Sequence, residues 1–181
     1  MLALAAASLA AARSSAQPLG QHGDVSFAAD RLMGLYFHDE GGSVTLFGLG
    51  GPPPASAPYT TPRLAFDFFV VDHLSVGGAM AYGLADPEGR RNSFDGILLA
   101  PRVGYAIDIG DSFGFWPRGG FTFRDFEGND ELALTFEGAF WAAPTQHFAF
   151  LFGPALDLGL VGDGDEARSF GVVSAGLLGW L

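Results

Sequence analysis

The chain has 181 residues with no cysteine and no lysine, and its nine arginines stand against twenty acids, a net charge of −11. That balance excludes strong nucleic-acid binding, which needs a basic surface for phosphate contacts, and the missing thiols exclude a disulfide scaffold, a thiolate metal site and a lipidated cysteine. Mean hydropathy is positive, and glycine (27) and phenylalanine (18) are abundant. Yet after residue 16 no apolar run is long enough for a spanning helix. The hydrophobicity lies in strand-length pieces, and a closed β-barrel is the other structure that satisfies every backbone group inside a membrane.

Residues 2–12, LALAAASLAAA, followed by Ser14-Ser15-Ala16, have the apolar core and small-residue cleavage site of a secretory signal peptide. Residues 1–16 are therefore expected to be a leader and 17–181 a barrel domain. The first strand is predicted from Val25 to Phe37, with Asp30 and Arg31, as neighbours in a strand, on opposite faces. His38 to Gly42 reads as a turn, Ser43 to Gly50 as a strand-like extension of a first hairpin, and 51–62, GPPPASAPYTTP, as a long Pro-rich loop. Further strands are predicted near 63–71, 75–84, 95–107, 113–124, 131–142, 147–160 and 169–181. The breaks at Asp72-His73, 108–112 and 144–146 are short, whereas those at 85–94, 125–130 and 161–169 are longer and polar. Such strict alternation is that of outer-membrane barrels, with short periplasmic turns and longer outer loops. The fold class is thus all-β, an antiparallel up-and-down transmembrane β-barrel of eight strands; nine or ten follow if 43–50 spans as well.

Each strand has two unlike faces. In RLAFDFFVV, Leu64, Phe66, Phe68 and Val70 alternate with Arg63, Ala65, Asp67 and Phe69. Later strands repeat the contrast: Leu99, Val103 and Tyr105 against Ala100, Arg102 and Gly104, then Phe121 and Phe123 against Arg118, Gly120, Thr122 and Arg124. Leu134 and Phe136 oppose Thr135 and Glu137, and Phe150 and Phe152 oppose Gly153, Ala155 and Asp157. An eight-stranded interior is only just wide enough for ordinary side chains, so the phenylalanine stacks fit outside and the small residues with scattered charges fit inside. The inward set is then a lumen charge network of Arg63, Asp67, Arg102, Arg118, Arg124, Glu137 and Asp157, to which Asp30 is a candidate addition. Arginine suits such a place because its planar fork bonds carboxylates in pairs.

Two uses of that network stay open: an ionic plug that fixes register, or a charged constriction making a narrow channel for ions or small solutes. A soluble periplasmic lipocalin-like binding protein would use the same strands with the faces reversed, against the packing argument above. Tyr36, Tyr59, Tyr82, Tyr105, Trp116, Trp141 and Trp180 fall near strand ends, where an interfacial aromatic girdle is expected for several of them. Of His22, His38, His73 and His147, none is set with a serine and carboxylate as a catalytic group requires, so no enzyme activity is expected. Neither His38-Asp39-Glu40 nor Asp163, Asp165 and Glu166 has the spacing of a metal site, and no metal or cofactor is expected.

The motifs PRLAFDFFVVDHLSVGG (62–78), LLAPRVGYAIDIGD (98–111) and FWPRGGFTF (115–123), with the strand grammar of the mature chain, resemble the small Gram-negative outer-membrane barrels of the OmpA/OmpX-like or OmpW-like group, and also uncharacterised barrels of myxobacteria-like genomes. The resemblance implies a bacterial outer-membrane location, a monomer, and a structural or surface-interaction role. It also implies handling by the barrel assembly machinery, which reads a C-terminal aromatic residue; here Trp180 is penultimate and Leu181 last. Outer-membrane lipids and lipopolysaccharide are the expected partners, with Arg90, Arg91 and Arg168 as candidate contacts to lipopolysaccharide phosphates.

Overall fold

The computed structural model describes residues 19–38, 41–45, 61–85, 94–126, 129–161 and 168–181. The predicted leader, residues 46–60 and the loop arginines Arg90 and Arg91 lie outside them. The described residues form strands β1 (Val25–His38), β2 (Gly41–Thr45), β3 (Arg63–Val71), β4 (Leu74–Ala85), β5 (Phe94–Tyr105), β6 (Ile107–Gly110), β7 (Phe113–Phe126), β8 (Asn129–Thr145), β9 (Phe148–Val161) and β10 (Arg168–Trp180), and no helix.

The sheet is antiparallel and closes on itself, because β1 pairs with both β3 and β10. Two of the short strands add no stave. β2 pairs with residues 34–38 of β1, above the segment 25–30 that pairs with β3, so it extends the first hairpin. β6 carries β5 onward past a break at Ala106 and pairs with β7. The barrel therefore has eight staves, and closure gives each stave a partner on both sides. Tight turns at Asp72-His73, Asp111-Ser112 and Gln146-His147 put both described termini at one end of the barrel.

At the opposite end, the connection predicted at 125–130 is largely strand. Pairings Asp125↔Asp130 and Phe126↔Asn129 carry β7 and β8 through it. Polar Asp125, Asn129 and Asp130 are thus paired in the sheet.

Face alternation governs the rest. Along β3 exposure alternates residue by residue, with Leu64 at 66% and Asp67 at 0%. Phe27, Phe66, Val76, Met80, Val103, Phe121, Phe136 and Phe150 project outward, a continuous apolar surface far beyond what soluble monomers show. Rings meet across neighbouring strands on this surface, as in the parallel stack of Phe113 on Phe140, 5.8 Å between centroids.

Two expectations fail inside the barrel. Asp30 and Arg31 both point into the lumen. Between Ala29↔Leu177 and Met33↔Ala175 the β1 strand takes four steps against two on β10, a bulge in which Arg31 has a left-handed φ of 57°. A bulge breaks the period of two, so neighbouring residues share a face. The second concerns the aromatic girdle. Tyr82 and Tyr105 are exposed as expected, but Trp116, Trp141, Trp180 and Tyr36 are 0–1% exposed and lie inside. Tyr59 falls outside the described residues.

Candidate functional site

The lumen is filled in two tiers. The floor, toward the short turns, is apolar: Leu19, Phe69, Ala106, Trp116, Trp141, Ala149, Leu178 and Trp180 form one buried cluster. Phe69 stacks on Trp116 at 5.6 Å, and the Trp116 indole N–H donates to Ser75 Oγ at 3.2 Å. Glycines on adjoining strands make the room. A Cβ on Gly104 would strike the Trp116 indole, and one on Gly114 would strike that of Trp141.

Above the floor sits the charged waist. Arg102 grips Asp67 with two bonds, Nε to Oδ1 at 3.0 Å and Nη2 to Oδ2 at 2.6 Å, while its Nη1 reaches Asp30 at 2.5 Å and Glu137 at 3.3 Å. Arg31 grips Asp157 in the same fashion, at 2.6 and 3.1 Å, and donates to Glu137 Oε1 from Nε (3.3 Å) and Nη2 (3.2 Å). Arg118 completes the cluster against Glu137 (2.9 Å) and Asp30 (3.4 Å), with its guanidinium 4.9 Å from the Trp116 ring centre. Glu137 thus faces three guanidiniums. Such forked, charge-assisted bonds combine strength with geometric selectivity.

Thr135 donates to Asp157 at 2.8 Å and shares a 2.8 Å contact with Thr122, which accepts from Arg63 at 3.4 Å. Arg63 also reaches the Thr61 carbonyl. Arg124, expected in the same network, pairs instead with Glu131 nearer the outer end.

The sheet register explains how so many charges fit. One inward row across the wall reads Ser26, Asp67, Gly77, Arg102, Gly120, Thr135, Asp157. Glycine separates the charged side chains, leaving space for each to lie across its neighbour. At Gly77 even a Cβ would run into the Phe66 carbonyl and Asp67. The buried waist carries four arginines (31, 63, 102, 118) and four acids (Asp30, Asp67, Glu137, Asp157), and so is formally neutral. Voids of about 10 and about 20 Å³ remain beside Arg102 and Arg31, room for roughly one water each.

Sequence reasoning missed Arg31 and Glu131. Strict alternation sets Arg31 opposite Asp30, which the bulge undoes; Glu131 opens the predicted strand 131–142 with the inward parity of Thr135 and Glu137 but is absent from the predicted network. Of the candidate lipopolysaccharide contacts, only Arg168 falls in a described strand, at the first position of β10. Among the described residues no group of His, Asp and Glu is arranged to hold a metal ion.

No protein-family model matches the chain, and no curated protein is similar to it in sequence. Solved structures do match. The N-terminal β-barrel domain of Pseudomonas aeruginosa OprF superimposes with a TM-score of 0.55 at 11% identity, covering 90% of this chain and 99% of that one. Ail, the attachment invasion locus protein of Yersinia pestis, gives 0.50 at 12% identity over 89% of this chain and 100% of its own. Neisserial surface protein A gives 0.50 at 13% identity, over 86% and 95%. The chain therefore shares the closed eight-stranded antiparallel barrel fold of these outer-membrane proteins.

Proposed function

We propose that this chain is a non-enzymatic protein of the bacterial outer membrane, a lipid-embedded barrel with a closed lumen and a structural or surface-interaction role carried by its outer loops. The observation that carries this reading is the waist: buried arginines and acids, balanced in number and forked onto one another, fill the bore. The apolar exterior supports residence in lipid, and the barrel leaves the loops as the parts able to meet a partner. Ail is named for attachment and invasion and neisserial surface protein A for the cell surface, and a role of that kind fits a closed barrel. Membrane lipid and lipopolysaccharide are the proposed partners, met by Arg90, Arg91 and Arg168, with the barrel assembly machinery acting during biogenesis and a monomer as the final state.

Planar-bilayer conductance on refolded protein tests the closed lumen. Wild type should be silent, and Arg118→Ala and Glu137→Ala should mainly lose thermal stability. Steady conductance by wild type, with ion selectivity altered in the two variants, would make the lumen a narrow channel instead.

A further inference from the structure

The wall of the barrel closes at Val25, whose N–H donates to the Leu181 carbonyl at 3.1 Å while the Leu181 N–H donates back at 3.0 Å. Of the residues before it, Gly23 and Asp24 still bond to the backbone of Phe69 in β3, while Leu19 to His22 lie outside the strand ladder. They turn across the mouth at the short-turn end. Leu19 is fully buried and belongs to the aromatic floor.

Left-handed glycines shape this crossing, Gly20 at φ 102° and Gly23 at φ 95°. At Gly20 the fit is tight as well: a Cβ there would lie 3.2 Å from both Ala106 Cβ and Phe69 Cε1. Glycine alone adopts such a backbone without strain and leaves that contact open.

The segment is fastened to the nearest turn and to itself. His73 N–H donates to the Gly20 carbonyl at 2.6 Å, and His22 N–H to Asp72 Oδ1 at 2.9 Å. Gly23 N–H reaches the Phe69 carbonyl at 2.9 Å, and Phe69 N–H reaches the Asp24 carbonyl at 3.0 Å. The Asp24 carboxylate accepts from the N–H groups of Gly20 (3.2 Å) and Gln21 (2.9 Å), holding the loop in its own curve.

We infer that Leu19–Asp24 is a stopper for the mouth at the short-turn end, in which Leu19 and Gly20 seat against Phe69 and Ala106, and that it can leave while the barrel stays closed. The inference is separate from the charged waist: the segment's contacts are with the first turn and the aromatic floor, and its test reads labelling rather than conductance. Its chemistry is that of a tethered apolar ligand, with Leu19 as the anchor and the aromatic floor as the receptor. Released, it uncovers Phe69 and the tryptophans behind it to water.

The chain has no cysteine, so single cysteines report directly on this contact. In refolded protein, a water-soluble maleimide should label His22→Cys, at an exposed position, as fast as a free thiol. Leu19→Cys should react slower by about tenfold or more, because labelling of a buried site waits on local opening. Adding Gly20→Val to Leu19→Cys should restore fast labelling and raise acrylamide quenching of the three tryptophans, with the heat-modifiable migration of a folded barrel retained. Equal labelling of Leu19→Cys and His22→Cys would overturn the inference. So would continued protection in the Gly20→Val background, or loss of the folded barrel together with the stopper, which would make the segment part of the wall.

Discussion

The waist and the floor of this barrel solve one packing problem with opposite chemistry. Both lie inside the same eight staves, and both depend on glycine in the neighbouring strand to free space, Gly77 and Gly120 in the waist and Gly104 and Gly114 in the floor. The floor gains from burying indole surface. The waist takes charges out of water, and the desolvation penalty consumes much of their attraction. Filling volume is thus common to both tiers, whereas a demand for full pairing belongs to the waist alone. The waist selects one register; the floor supplies cohesion.

The sharpest break in that comparison is Glu137→Ala. It removes a carboxylate shared by three guanidiniums; Asp157, Asp67 and Asp30 still face them, but the waist is left with one uncompensated positive charge, and loss of one partner from a buried ionic cluster costs about 3 to 5 kcal/mol. Denaturant unfolding in lipid or detergent should show this loss. Trp141→Ala should cost a similar ~3 to 5 kcal/mol by leaving a cavity, but Trp141→Phe should recover most of it, whereas Glu137→Gln should recover little. Combining Glu137→Ala with Trp141→Ala should give near-additive losses, since Glu137 bonds to the waist arginines and Trp141 packs against Trp180 in the floor.

Gly77→Ala comes next. Its Cβ meets the Phe66 carbonyl and Asp67, and overpacking of this kind costs about 1 to 3 kcal/mol. An unchanged midpoint would show that glycine there is not what makes room for Asp67 and Arg102. The smallest effect is expected for Tyr36→Phe, which removes a hydrogen bond to Ser174 at 3.0 Å and should lower stability by about 1 kcal/mol.

The strand grammar and the faces were legible because a two-residue period survives wherever pairing is regular: Leu64 to Val70 and Phe121 to Arg124 show it plainly. Arg31 was not legible, because a bulge is set by the register between β1 and β10, which no local pattern records. The tryptophans are a different lesson. Trp116 shares its parity with Arg118 and Gly120, and Trp141 with Glu137 and Ala139, so alternation already aimed them inward. The interfacial habit of tryptophan outweighed it, and the glycines that accommodate the rings sit on other strands. Glu131 was legible in the same way, since it opens the predicted strand 131–142 with the parity of Thr135 and Glu137; only the extension of β8 back to Asn129 leaves no mark in the pattern.

The central claim is that the large apolar face meets lipid and the small charged face fills the bore. Adjacent residues on β4 test it directly, since Met80 is 53% exposed and Ala79 is 4% exposed. Spin labels on Met80→Cys and Ala79→Cys in lipid vesicles, probed with oxygen and with a water-soluble nickel chelate, separate lipid from water. The Met80 label should be relaxed by oxygen and untouched by the chelate, and the Ala79 label should be poorly accessible to both. Relaxation of the Met80 label by the chelate would contradict the claim, because it would put the apolar face in water.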